Sequence, residues 1–206
     1  GGGLSVGLQT YLRAAARETG EALARISLES AASETLGRIA AGEEHPITPS
    51  TRSPLRLNGR EVSVELSLPE GKRDLMGDPD DELGKALEPL GRGARDLPAV
   101  SARTSLSEFS AALRFSAAEE DCLRRLMTVG RAPEEFRPAA APGAPEQLRP
   151  GAAGDQVDLR ASTGSGGAER VLWLRARLTG QISTGWRIHD YRLLRVAGVV
   201  GERCGA

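Results

Sequence analysis

The sequence is poor in lysine, aromatic residues, histidine and cysteine, and each shortage removes a class of function. Lys72 and Lys85 are the only lysines among 27 basic residues, so Arg carries the positive charge. Arg and Lys do different physical work, but a GC-rich genome produces the same bias and is the simpler reading. Three Phe, two Tyr and two Trp are too few for a base-stacking platform. The 27 basic residues face 28 acidic ones, a net charge of −1. That balance excludes both a generally basic, nucleic-acid-coating surface and a wholly acidic disordered tail. No run of about 20 apolar residues exists, so nothing here spans a membrane. No signal peptide is visible, and the chain opens Gly1-Gly2-Gly3-Leu4 without Met, which reads as a trimmed start.

Cys122 and Cys204 are too few for a disulfide scaffold and have no metal-ligand spacing. Cys122 lies in an amphipathic stretch and reads most simply as a small buried apolar residue. A bridge to Cys204 requires an oxidising compartment and a close approach. A hydrolytic triad needs a base beside a nucleophile. His45 sits beside Pro46 in an expected loop, His189 in an expected strand, and no Gly-x-Ser-x-Gly elbow exists. Gly164-Ser-Gly-Gly167 lacks the Lys of a phosphate-binding loop and reads as a turn between strands. Asp78, Asp80, Asp81 and Glu82 could offer oxygens to Ca²⁺, yet a helix N-terminus favours the same charges. Trp173, Trp186 and Tyr191 read as core and cross-strand pairs rather than a binding box. No constellation supports catalysis.

What remains is 206 residues, 39% apolar, with 25 Gly and 12 Pro. The core must come from Leu, Val and Ala, with much turn and linker between elements. Residues 8–41 predict one long helix. Leu8, Leu12, Ala15, Ala16, Thr19, Leu23 and Ile26 recur at helical spacing, and the stripe then steps sideways to Leu28, Ala32, Leu36 and Ile39. Pro46, Pro49 and Pro54 cannot continue it. Two alternating runs, 55–57 and 60–68, flank Asn58-Gly59, the preferred pair for a two-residue hairpin. Val62, Val64, Leu66 and Leu68 share one face, which must cover something; the long helix is the obvious candidate.

Residues 78–136 predict short helices. Asp78-Pro-Asp-Asp-Glu82 suits a helix start, Thr104 or Ser105 can cap a second, and Ser116-Ala-Ala-Glu119 is a capping box for a third. Residues 137–155 are Pro, Ala and Gly and read as a linker. Strands return at 156–161, 170–178 and 185–196, with Leu172, Leu174, Ala176 and Leu178 on one face. Segment 157–206 carries eight Arg against four acids, and 43–90 six cations against eleven acids. The two segments can pair internally or steer a partner.

The order of long Ala-rich helix, Asn-Gly hairpin, helical insert and strand pair resembles the K-type minor pseudopilin of the bacterial type II (general) secretion pathway. Its most specific stretch is Val62-Ser-Val-Glu-Leu-Ser-Leu-Pro-Glu-Gly-Lys-Arg-Asp-Leu75. In that family a strand runs into an Asp-Glu-Ala-Gly-Lys-(Ile/Leu)-Asp-Leu-Asn-like turn, and Glu70, Gly71, Lys72, Asp74 and Leu75 match it here. The family's following Asn-Thr is replaced by Met76-Gly77. Thr104-Ser-Leu-Ser-Glu-Phe109 with Leu126-Met-Thr-Val129 is similar to the family's second helical section. Arg175-Ala-Arg-Leu-Thr-Gly180 and Trp186-Arg-Ile-His-Asp-Tyr-Arg-Leu193 resemble its closing strands. The likeness spans most of the chain and is sharp only in the Gly-Lys-x-Asp-Leu segment, and the helical insert is shorter than is usual there.

The resemblance implies an α+β, pilin-like fold: a long N-terminal helix packed on a small antiparallel sheet, with an inserted all-helical module. Residues 1–77 would form the helix and hairpin of the body, 78–136 the inserted module, 137–155 a linker, and 156–206 the strands completing the sheet. It further implies a non-enzymatic periplasmic protein, held in the inner membrane by an N-terminal apolar extension absent from this chain. Such proteins cap the pseudopilus tip and assemble with the I- and J-type minor pseudopilins to support export of secreted proteins. Leu8, Tyr11, Leu12, Ala15 and Ala16 would pack against sister helices, where small Ala residues permit close approach. No cofactor is expected. Some family members bind Ca²⁺ in the helical module, with no ligand carried over to this sequence. The competing expectation is a periplasmic or lipid-anchored helix-on-sheet domain, cystatin-like or nuclear-transport-factor-like, that binds a small ligand.

Overall fold

The computed structural model describes residues 3–40, 45–46, 53–57, 59–130, 147–148, 156–165, 168–178, 186–197 and 204. Helix α1 (Gly3–Ala40) fills the N-terminal segment, beginning earlier than the apolar spacing predicts. At 1.5 Å per residue it is about 57 Å long. Strand β1 (His45–Pro46) follows, then β2 (Ser53–Leu57) and β3 (Arg60–Ser67). Leu57 pairs with Arg60, so two residues join these strands, and Gly59 takes φ +73°. That left-handed geometry is the reason an Asn-Gly pair marks the turn; Asn58 itself lies outside the described residues.

A 3-10 turn (Pro69–Gly71) and strand β4 (Arg73–Asp74) lead into helices α2 (Asp80–Leu87), α3 (Leu106–Ala112) and α4 (Ala117–Leu126). The start signals operate as expected. Asp80, Asp81 and Glu82 fill the first turn of α2. Ser105 caps α3, its hydroxyl accepting from Glu108 N, and Ser116 with Glu119 forms a reciprocal capping box on α4. Strand β5 (Met127–Thr128) then pairs in parallel with β4 and closes the base of the insert. Within the expected linker, β6 (Gln147–Leu148) pairs with β1; the rest of 137–155 lies outside the described residues. Strands β7 (Gln156–Ser165), β8 (Ala168–Leu178) and β9 (Trp186–Ala197) follow.

The fold is α+β. The main sheet is antiparallel throughout, in the order β2-β3-β7-β8-β9. Strand β7 is longer than the six residues expected over 156–161. Gly164 and Ser165 remain in register with β8, and Ser165 pairs with Ala168. Pairing at Gly164 thus persists where the sequence reads as turn.

Both faces of the sheet are covered. On one, Leu28, Ala31, Ala32, Leu36 and Ile39 of α1 pack against Val62, Val64 and Leu66 of β3, Val157, Leu159 and Ala161 of β7, and Leu172, Leu174 and Ala176 of β8. Full burial of each such Leu, Ile or Val stabilises by about 1.5–3 kcal/mol. The hairpin's apolar face does cover the long helix, through the second stripe rather than the first. On the other face lies the helical insert, which has its own core of Leu75, Leu83, Leu87, Leu106, Phe109, Leu123 and Met127. Gly84 lets the Ala94–Asp96 turn approach α2: an added Cβ would sit 2.4 Å from the Ala94 N. Trp173, Trp186 and Tyr191 do not form one cluster. Trp173 faces the insert, Trp186 packs toward α1, and Tyr191 is exposed.

Candidate functional site

Strand alternation places charge where the insert meets the sheet. On β7, Val157, Leu159 and Ala161 face α1, so Asp158, Arg160 and Ser162 face the insert, and all are buried. Register sets Asp158 opposite Arg175, and Arg160 opposite Trp173. Three buried carboxylates organise the seam. Asp121 of α4 accepts from Arg160 Nε and Nη2 at 2.9 and 3.0 Å, and from Trp173 Nε1 at 2.7 Å. Glu120 accepts from Arg124 and Arg192. Asp158 accepts from Lys72 Nζ at 2.7 Å and from Arg175 Nε and Nη2 at 2.7 and 3.0 Å. Planar, two-pronged guanidinium bonds of this kind are strong and directional.

Lys72, the centre of the sharpest sequence motif, is buried in this seam. Its ammonium also donates to the Arg124 carbonyl at 2.7 Å and lies 5.1 Å from the Trp173 ring centre. Burial pushes Lys72 below the usual lysine range, against the pull of Asp158. Burial alone would raise the Asp158 carboxyl, but Lys72 and Arg175 outweigh it and hold it below its ordinary 3.8. The other motif residues are engaged too. Asp74 accepts from Met76 N and Gly130 N, and Leu75 is buried in the insert's core. A disulfide joins Cys122 of α4 to Cys204, with Cα atoms 5.4 Å apart. Cys122 is thus both the buried small residue expected and one half of a bridge. The arginines of 157–206 are met mostly by acids outside the acidic 43–90 segment: Arg160 and Arg192 pair with Asp121 and Glu120 of α4, and Arg175 with Asp158 of β7, while Arg160 also lies 3.5 Å from Glu65 of β3.

The outer face of α1 is the second candidate. At 100° per residue, Leu23 and Ile26 lie roughly 140–160° round the helix from Leu28. They point away from the sheet and are 43% and 49% exposed. Ala16 and Thr19 are exposed near them, and Ala15 is half-buried. Leu8, Tyr11 and Leu12 belong to α1, but their side chains lie outside the described residues. Farther along, Glu29 ties α1 to β9 by accepting from Tyr191 at 2.7 Å and also accepts from Arg25 of its own helix at 2.8 Å, and Arg25 then Tyr191 hold its carboxyl below the usual range.

The acidic stretch considered for Ca²⁺ is engaged by protein groups. Asp80 accepts from Arg103 at 2.6 Å, Glu82 from Arg73, and Asp78 from the Asp74 N at 3.0 Å. Among the described residues no group of three or more His, Cys, Asp or Glu could hold a metal ion. His189 is exposed on β9, and the surroundings of His45 lie outside the described residues. No helix among the described residues is long and apolar enough to cross a membrane. The chain matches no protein-family model, and no curated protein is significantly similar to it. Sequence reasoning named Lys72 and Asp74 but missed Asp121, Asp158 and Arg160. For Asp158 the available signal was the opposite charge of Arg175 on the neighbouring strand; Asp121, on helix α4, and Arg160, opposite Trp173, carried none.

Proposed function

We propose that the chain is the periplasmic body of a K-type minor pseudopilin, a non-enzymatic subunit that caps the pseudopilus tip and assembles with I- and J-type partners during protein export. The observation that carries this reading is the two-faced α1. Its 24–39 portion is committed to its own sheet, while Ala16, Thr19, Leu23 and Ile26 turn a small-to-apolar stripe outward. A stripe of this composition suits close helix–helix approach. The insert on the opposite sheet face leaves that stripe open and adds bulk that would block a further subunit from stacking. The Gly71-Lys72-Arg73-Asp74-Leu75 segment, where the resemblance is sharpest, forms the joint between sheet and insert. The Cys122–Cys204 bridge fits an oxidising compartment such as the periplasm. An apolar anchor upstream and exported proteins as further partners belong to the same reading.

Co-purification of this chain with I- and J-type minor pseudopilins tests it. The expected result is a stable complex that Leu23→Glu with Ile26→Glu abolishes while the chain's own melting temperature changes little. Absence of a complex with the unaltered chain counts against the reading.

A further inference from the structure

At the level where α1 leaves the sheet, the helix and the strand ends border a pocket of about 410 Å³ that is open to solvent on one side, within the size range of small-ligand sites. Its lining is charged. Arg17 comes from α1, Arg60 from the first position of β3, Arg170 from β8 and Arg195 from β9, with Glu21 of α1 and Thr163 of β7 between them. Four guanidinium groups thus face one carboxylate. Glu21 Oε1 is 2.5 Å from Arg170 and 3.6 Å from Arg195, so this one anion serves two cations. Among the described residues Arg17 and Arg60 have no ion-pair partner. The Thr163 hydroxyl donates to the Glu61 carbonyl at 2.8 Å, which fixes that wall. Gly20 adds no side chain to the cavity, and a Cβ there would meet nothing within 4 Å.

Four arginines around one open pocket give it a positive potential that favours an anion. A single further carboxylate would leave the lining strongly positive, whereas a phosphate brings more negative charge and oxygens that guanidinium groups grip two at a time. We propose that this cavity binds a phosphate group, presented by a small phosphate compound or by an anionic phospholipid headgroup. The cavity is separate from the outward stripe of α1, so loss of one assignment leaves the other standing.

The test uses the full chain at fixed physiological salt. One arm titrates inorganic phosphate and pyrophosphate calorimetrically; the other co-sediments the protein with phosphatidylglycerol–phosphatidylcholine vesicles, against pure phosphatidylcholine. Saturable binding in either arm is expected, and the tighter arm identifies the source. Arg17→Gln and Arg60→Gln should each weaken it by about tenfold, and Glu21→Gln should tighten it several-fold. Arg187→Gln removes the same charge at the far end of β9 and should leave binding unchanged, with melting curves confirming that every variant folds. Absence of binding in both arms overturns the proposal. So does an Arg187→Gln loss equal to that of Arg60→Gln, or a Glu21→Gln variant that binds no tighter.

Discussion

Asp158 shows what one side chain does at the seam between sheet and insert. Its carboxylate is buried between Lys72 and Arg175, two cations that would otherwise face each other out of water. Replacing a buried ion pair wholesale by apolar residues is often harmless, but removing one partner costs about 3–5 kcal/mol because the other charge stays buried and unpaired. Asp158→Asn should therefore lower the melting temperature by on the order of 10 °C. The sign of the acid dependence follows from the depressed carboxyl. Below its ordinary 3.8 the unfolded chain takes up a proton that the folded chain refuses, so stability fully present above that value is lost as pH falls from it through the lower folded-state value. Asp80, held down by Arg103, and Glu119, held down by the Ser116 backbone and hydroxyl, add in the same direction. Melting temperature should begin to fall below about pH 4.5 and fall most steeply once the pH passes below about 3.8. The Asp158→Asn variant should show a shallower slope; an unchanged slope would remove Asp158 from the account.

Among the elements, α4 makes the most varied contacts. It carries Glu120 and Asp121 into the ionic seam, Leu123 into the insert's core, and Cys122 into the bridge with Cys204. That bridge spans 82 positions of sequence. By loop-closure entropy, a cross-link of this span stabilises by roughly 4 kcal/mol, chiefly by restricting the unfolded chain. Reduction, or Cys204→Ser, should lower the melting temperature while the Asp121–Arg160–Trp173 contacts keep α4 on the sheet. Near-ultraviolet circular dichroism of the tryptophans reads the second point directly, and loss of their signal on reduction would show that the bridge, not the ion pairs, holds α4 in place. The caps of α3 and α4 and the Asn-Gly hairpin were legible because each is local: a few neighbouring side chains decide the geometry. The seam was not, because alternation on β7 shows only that Asp158 and Arg160 share a face. Whether water or an insert covers that face is decided by residues tens of positions away. The arginine-lined cavity was illegible for the same reason, its cations lying between positions 17 and 195 of the sequence.

At the scale of the whole molecule, α1 is unevenly supported along its length. From Ala24 to Ile39 it contributes Ala24, Leu28, Ala31, Ala32, Leu36 and Ile39 to the buried set, roughly one side chain in every turn or more. From Arg13 to Leu23 no side chain is buried, and the helix is held there chiefly by its own backbone bonds and the Glu21 ion pairs. An isolated helix of this length is marginal in water, since propagation gains little per residue and most helical stability comes from a packed face. Amide exchange should follow that division. Amides of residues 27–39 should exchange only with opening of the sheet, whereas those of 13–22 should exchange through local fraying at far lower free energy. Hydrogen-exchange mass spectrometry on the chain alone would resolve the two segments, and equal protection across α1 would mean that something else supports its outer half. Addition of the helical partners proposed above should raise protection at 13–26 selectively, leaving 27–39 as before. Protection that rises uniformly, or only at the strands, would place the partner elsewhere on the molecule.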